Sequence, residues 1–336
     1  EFQSGSATVD FIETHPEIFS IIKTRDRATK ALRGLGDIIV NGNPYITKVD
    51  RSIEFKKAIV PDYESDQAYP KGSKDLLTEL GRDAFVDWIK NQKQILYTDT
   101  TFRDAHQSLL ATRVRTIDML AVAESFAKKH SSVFSMEVWG GATFDVALRF
   151  LKESPWERLQ LFREAIPNIL LQALIRGSNA VGYTAYSNNV IENFIEHSAK
   201  EGIDIFRIFD SLNWLPAMET SIKAVIERTE SLAEVCLCYT GDISNPEKKK
   251  YTLQYYLDLA RRIEDAGAHI IAIKDMTGLL KPKAATMLIS ALKKSVSLPI
   301  HLHTHDTSSL QCASYLQAID AGVDIVDVAL SSMSGL

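Results

Sequence analysis

Cysteine is scarce in this chain of 336 residues: it has only Cys236, Cys238 and Cys312, too few and too odd in number for a disulfide framework. That excludes the disulfide-stapled secreted folds and makes a reducing, cytoplasmic location the expectation. Cys236 and Cys238 stand in an apolar run and read as small core hydrophobes. Long hydrophobic runs are missing too. No stretch nears the roughly 18–20 apolar residues of a membrane helix, and the first residues lack the basic and apolar parts of a secretion signal. Positive charge is nowhere concentrated: the net charge is -5, and Lys248-Lys249-Lys250, the one basic triplet, reads as a solvated turn. Neither nucleic acid nor a membrane surface is therefore an expected partner. A Gly-x-Gly-x-x-Gly turn is also lacking, which counts against an open dinucleotide-binding sheet.

What the chain does have is 45% hydrophobic residues, enough for a sizeable core. From about residue 92, short β-rich runs alternate with segments of helical periodicity. The runs are 94–97, 133–138, 169–174, 204–208, 235–239, 269–273, 300–303 and 324–328. Eight strands separated by helices predict an α/β fold, a (β/α)8 TIM barrel, whose usual size of about 250 residues suits this stretch. Helical segments show apolar spacings of three and four, as in Ile191, Phe194 and Ile195. Three junctions repeat one pattern, a glycine ending a helix just before a strand: Glu201–Asp204, Asp265–His269 and Asp320–Asp324.

Upstream, the expected organisation is a linker or domain end at 1–22 and a small α+β connector at 23–91. Within it, 24–33 predicts a helix, 37–42 a strand and turn, and 74–91 another helix. The connector has too little apolar mass to stand alone, so it docks on the barrel or on something else.

Chemistry in a barrel gathers at the C-terminal ends of the strands. Polar residues at those ends are Arg103, Asp104, Asp145, Arg176, Arg207, Asp210, Lys274, His303 and His305. In Pro299-Ile-His-Leu-His-Thr-His-Asp306, His303 and His305 are two apart and share one strand face. A lone strand histidine is ordinarily a packing group, but a pair with Asp104 supplies three ligands for a zinc or manganese ion with positions left open. His301 lies deeper and reads as packing or support, and Asp306 is the expected carboxylate partner of an imidazole. Lys274 ends the most apolar strand. Beside a metal its ammonium must be neutral, paired with Asp275, or converted by carbon dioxide into an anionic ligand. Arg103 and Arg176 together suit a carboxylate and a developing oxyanion, although either alone would read as a surface ion-pair partner. Gln107 and Tyr183 are polar donors for orienting a substrate.

Five stretches are similar to the carboxyltransferase domain of the pyruvate carboxylase family. They are Asp99–Arg115, Trp139–Ala147, Arg176–Tyr183, Phe206–Asn213 and Ile273–Pro282, and the likeness runs nearly continuously over 92–336. Asp26–Lys30 and Val40–Gly42 resemble the segment that joins the preceding domain of that family to its carboxyltransferase.

The resemblance implies that Asp104, His303 and His305 bind a metal ion (Mn2+ or Zn2+), with Lys274 carbamylated as fourth ligand. It implies that Arg103, Gln107 and Arg176 hold pyruvate and its enolate, and that Asp145 and Tyr183 line a pocket for the biotin ring. The reaction is then transfer of a carboxyl group from carboxybiotin to pyruvate, giving oxaloacetate. Implied partners are a biotin carrier domain, further copies of the chain in a homo-oligomer, and a regulatory cyclic dinucleotide stacking on a tyrosine such as Tyr315. Other members of the superfamily, a biotin-dependent decarboxylase or transcarboxylase subunit or an aldol-type lyase, stay open. So does a non-catalytic assembly role. His106-Gln107-Ser108 favours the biotin enzymes, and the connector favours the carboxylase. After His305 the family has a glycine-containing turn where this chain reads Ser309-Leu310-Gln311-Cys312. The barrel is expected to be truncated after Leu336, with the last helix, a funnel-like subdomain and the carrier lying beyond.

Overall fold

The computed structural model describes residues 16–18, 29–43, 59–60 and 62–334. The chain divides into two compact units, Glu1–Ala58 and Ile59–Leu336. In the first, a helix spans Thr29–Asn41. Residues 24–28 of the expected 24–33 helix lie outside the described residues, as does most of 1–22. The strand and turn expected at 37–42 are replaced by the last turns of this helix. Leu32, Leu35, Ile38 and Ile39 recur at helical spacing, so the three apolar residues in a row belong to one helical face and its flank.

The second unit is a closed parallel barrel in which each strand pairs with the next and β8 with β1. The strands are β1 Leu96–Asp99, β2 Ser135–Trp139, β3 Leu170–Ile175, β4 Ile205–Ile208, β5 Leu232–Cys238, β6 Ile270–Asp275, β7 Ile300–Thr304 and β8 Ile325–Val328. All eight expected strands form. The largest shift is at β5, which starts three residues before the expected Val235 because Leu232 and Ala233 also pair with β4. The repeated junctions behave alike: Gly202, Gly267 and Gly322 have φ of 120°, 89° and 93°, a left-handed helix end that glycine adopts at little cost.

Alternation along the strands sorts the side chains. Met136, Leu171, Phe206, Val235, Ile271 and Leu302 face outward into the helix layer and form the main core. Leu170, Ile205, Leu232, Ile270 and Ile325 face inward at the strand starts. They meet Leu77, Phe85 and Ile89 from the helices Ser73–Leu80 and Arg82–Lys90, which close the barrel floor. The expected single helix over 74–91 is thus two, broken at Gly81, where φ is 73°. Above the floor the inward positions turn polar: Glu137, Gln172, Arg207, Glu234, Lys274, His301, His303 and Asp327 are all buried. A register shift between Glu137 and Trp139 lets Glu137 stay inside while Trp139 turns out to stack on Phe194 at 5.7 Å.

Candidate metal centre and the barrel mouth

Arg103 and Asp104 sit on an unusually wide helical turn after β1, Thr101–Ala105, in which the Ala105 N–H reaches the Thr100 carbonyl five residues back. Such turns recur at functional sites. The loop then runs through Ala111 and Thr112, at φ 48° and 62°, both left-handed without being glycine. Strain of this kind persists only where the surroundings enforce it.

Asp104, His303 and His305 converge: their ligand atoms all lie within 4.8 Å of one another. Asp104 Oδ2 is 3.3 Å from His303 Nε2 and 3.2 Å from His305 Nε2. His303 Nε2 is buried and makes no hydrogen bond. A buried, bare imidazole nitrogen facing a carboxylate and a second imidazole suits a divalent cation. The electrostatics agree. Burial raises the Asp104 carboxyl, but Arg103, the His305 hydrogen bond, His303 and Lys274 outweigh it and hold the group well below the usual carboxylate range. Burial and then Lys274 push His303 down to about 3 despite Asp327. Both groups are therefore in the deprotonated forms that bind metals.

Lys274 is buried in the lumen beside His303, its register partner across β6 and β7. Pairing with Asp275 does not occur. Asp275 points the other way and accepts from the N–H groups of Thr277, Leu279 and Leu280 and the Thr304 hydroxyl. The Lys274 ammonium lies 5.6 Å from the Phe209 ring and has no ion-pair partner among the described residues.

Arg103 is buried and clamped. It donates to Asp104 at 2.7 Å, to Gln107 at 3.3 Å and to Glu137 at 2.6 Å, while its Nε is left without a partner. Arg176, partly buried after β3, donates to the Gly182 carbonyl and lies 5.2 Å from the Tyr183 ring. The exposed Tyr183 hydroxyl donates to Asp145 Oδ2 at 3.1 Å. Asp145, Arg176 and Tyr183 therefore form a second group, separate from the Asp104, His303 and His305 cluster.

One expectation shifts. The Asp306 carboxylate accepts from the backbone N–H of Gln311 and, among the described residues, meets no imidazole. The carboxylate on His303 is Asp327 of β8, 2.6 Å from Nδ1. Asp327 also accepts from His301 at 2.7 Å and from Arg207, which in turn is paired with Glu234. The sequence signal for this network is a single charged residue inside each apolar strand: Glu137, Arg207, Glu234 and Asp327. Tyr315 is largely buried, with its hydroxyl on the Asp327 carbonyl, and lines a cavity of about 330 Å³ beside Asp104 and His305. Cys236 and Cys238 are buried as expected, and burial raises both thiols, Cys238 to about 11.

A closed (β/α)8 barrel with a two-histidine, one-carboxylate cluster at its mouth defines a TIM-barrel protein with a candidate metal site, and residues 184–335 match the HMGL-like family model. The chain is more particularly a homologue of the pyruvate carboxylases and corresponds to their carboxyltransferase domain. It is 55% identical over its whole length to pyruvate carboxylase from Staphylococcus aureus, covering 29% of that protein. It is 48% identical to the mitochondrial human one, again over its whole length and covering 28%. The carboxyl transferase domain of Rhizobium etli pyruvate carboxylase, solved with pyruvate, superposes with a TM-score of 0.81 at 51% identity, over 92% of this chain and 51% of that one. The complete R. etli enzyme gives 0.82 at 50% identity, over 96% and 30%. The chain thus spans less than a third of the curated relatives it matches. Among the described residues, no helix is long and apolar enough to cross a membrane.

Proposed function

We propose that this barrel carries the carboxyltransferase half-reaction of a pyruvate carboxylase, moving a carboxyl group from biotin to pyruvate to give oxaloacetate. The observation that carries the reading is the convergence of a bare, buried His303 Nε2, Asp104 and His305 beside Arg103. The R. etli domain solved with pyruvate, and with oxamate and biotin, supports the same chemistry.

Asp104, His303 and His305 would hold the divalent cation, Mn2+ or Zn2+, with Lys274 as fourth ligand once carbamylated. The charges of the lumen support that modification. Four buried carboxylates, Asp104, Glu137, Glu234 and Asp327, face four cationic groups: Arg103, Arg207, Lys274 and His301. Burial opposes charging His301, yet Glu234 and Asp327 hold its pKa above the usual value, and each ring nitrogen faces a carboxylate. Adding carbon dioxide to Lys274, with two protons released to solvent, turns a positive charge into a negative one, and one divalent ion restores the balance in a space where uncompensated charge is costly. Bound there, the metal supplies Lewis acidity that favours the enolate of a 2-keto acid.

The protein's own groups bind and orient. Arg176 takes the substrate carboxylate through its fork, and the free Nε–H of Arg103 meets the oxyanion that develops as the methyl proton leaves, to end on the ureido nitrogen from which biotin gives up the carboxyl group. Gln107 fixes Arg103. Asp145 and Tyr183, already hydrogen-bonded to each other, offer an acceptor and a donor to the ureido edge of biotin, which brings the carboxyl group on a carrier domain. A homo-oligomer is part of the same reading, and the compartment follows the source, since the relatives are bacterial as well as mitochondrial.

The test is biotin-dependent decarboxylation of oxaloacetate by the full-length protein loaded with Mn2+ or Zn2+, together with its metal content. Lys274→Ala should abolish turnover and most of the metal. Metal content unchanged by Lys274→Ala excludes Lys274 as a ligand, and a loaded parent without activity sinks the whole reading.

A further inference from the structure

The geometry points to Asp327, gripped by Arg207, as the positioning residue that locks His303 in the tautomer with a protonated Nδ1 and a bare Nε2. This rests on the reading of Asp104, His303 and His305 as a metal centre. The two faces of His303 are unequal. Nδ1 lies 2.6 Å from Asp327 Oδ2, whereas Nε2 is buried without a hydrogen bond and turned to Asp104. A carboxylate accepts only, so the proton on this neutral imidazole must sit on Nδ1, which leaves the Nε2 lone pair for a cation.

Asp327 is itself fixed. Arg207 reaches both of its oxygens, Nη1 to Oδ2 at 2.5 Å and Nη2 to Oδ1 at 3.1 Å, and His301 Nε2 holds Oδ1 at 2.7 Å. Arg207 is anchored in turn by Glu234 from β5. Each member is at most 5% exposed, so solvent does not compete. The planar fork also sets the carboxylate plane, which a lysine would leave free to rotate. Four strands, β4, β5, β7 and β8, thus determine the orientation of one imidazole across the barrel. Carboxylate partners of ligating histidines are commonly worth 10–100-fold in metal affinity.

The experiment measures Mn2+ and Zn2+ binding calorimetrically and the His303 tautomer by 15N NMR, on the parent, Asp327→Asn and Arg207→Lys. The parent should show His303 protonated at Nδ1. In Asp327→Asn, whose amide N–H can face Nδ1, the proton should move to Nε2 and affinity should fall about 10–100-fold. Arg207→Lys should give a mixed tautomer and a smaller loss. Unchanged affinity and tautomer in Asp327→Asn overturn the inference. Should that variant not fold, a parent His303 protonated at Nε2 overturns it equally. A parent that binds neither metal ion removes the metal reading itself and this inference with it.

Discussion

Arg103 and Arg176 press on the two halves of one glycine pair. A Cβ on Gly140 would lie 3.4 Å from Cδ of Arg103, and one on Gly141 would lie 2.8 Å from Cζ of Arg176. The Gly140-Gly141 turn after β2 is what lets the arginines that follow β1 and β3 approach the same space. The two glycines should respond differently to alanine. Gly140→Ala meets an ordinary contact and should leave activity within about twofold. Gly141→Ala must displace a guanidinium, the mobile end of a long side chain, so stability should change by less than about 0.5 kcal/mol. The misplaced arginine should nevertheless cost about 10- to 100-fold in kcat/KM for the keto acid. Steady-state kinetics beside urea melts separates the two effects, and a loss of stability matching the loss of activity contradicts the assignment.

The barrel floor supplies a stability prediction. Phe85 is fully buried and stacks with Trp88 at 5.2 Å and Phe134 at 6.1 Å. Phe85→Ala leaves a cavity under the lumen and should cost about 3–5 kcal/mol. Urea denaturation of the two proteins measures it, and a cost under about 1 kcal/mol means the floor collapses onto the space.

His269 gives a pH window. Its Nδ1 accepts the Ala233 N–H at 2.9 Å, and burial, then Arg82, depress it to about 4 against the opposing charge of Asp83. The folded pKa lies below the unfolded value of 6.5, so between pH 6.5 and about 4 the unfolded chain binds a proton that the folded one refuses. The contribution is complete above pH 6.5 and is lost as pH falls towards 4. His269→Asn keeps an acceptor without the titration. It should flatten the fall in stability across this window by up to about 1.4 kcal/mol per pH unit. Identical slopes for parent and variant rule the histidine out.

Ser309 bears on the loop after β7. It stands in the stretch where the family has a glycine-containing turn, and its φ is 56°. A left-handed L-residue costs about 1–2 kcal/mol, from which the greater freedom of glycine in the unfolded chain subtracts about half. Ser309→Gly should therefore stabilise by about 0.5–1 kcal/mol, read as a higher thermal midpoint. A lower midpoint means the serine repays its strain elsewhere.

The barrel was legible because its strands are short apolar runs that no other local structure explains, and because Gly202, Gly267 and Gly322 punctuate the repeat. His303 and His305 were legible because a spacing of two puts them on one strand face whatever surrounds them. The partner of His303 was not. Asp306 is adjacent in sequence, but the strand has ended there and its carboxylate turns to the Gln311 backbone, so Asp327 from another strand takes the role. The stretch 37–42 misleads for the opposite reason: three apolar residues in a row suit a strand, and only the wider spacing from Leu32 onward shows the helix.

By itself, then, the sequence determined the periodicity of the elements, the glycine-ended repeat and the chemical types available for a metal and a carboxylate. The tertiary structure alone decided which of those groups meet. Asp104 follows β1 and Asp327 lies on β8, and closure of the barrel by pairing β8 with β1 brings both carboxylates to His303. Likewise Arg207 and Asp327, 120 positions apart, become a buried pair because inward-facing positions of separate strands share one lumen. A charge there must find its counter-charge across the barrel.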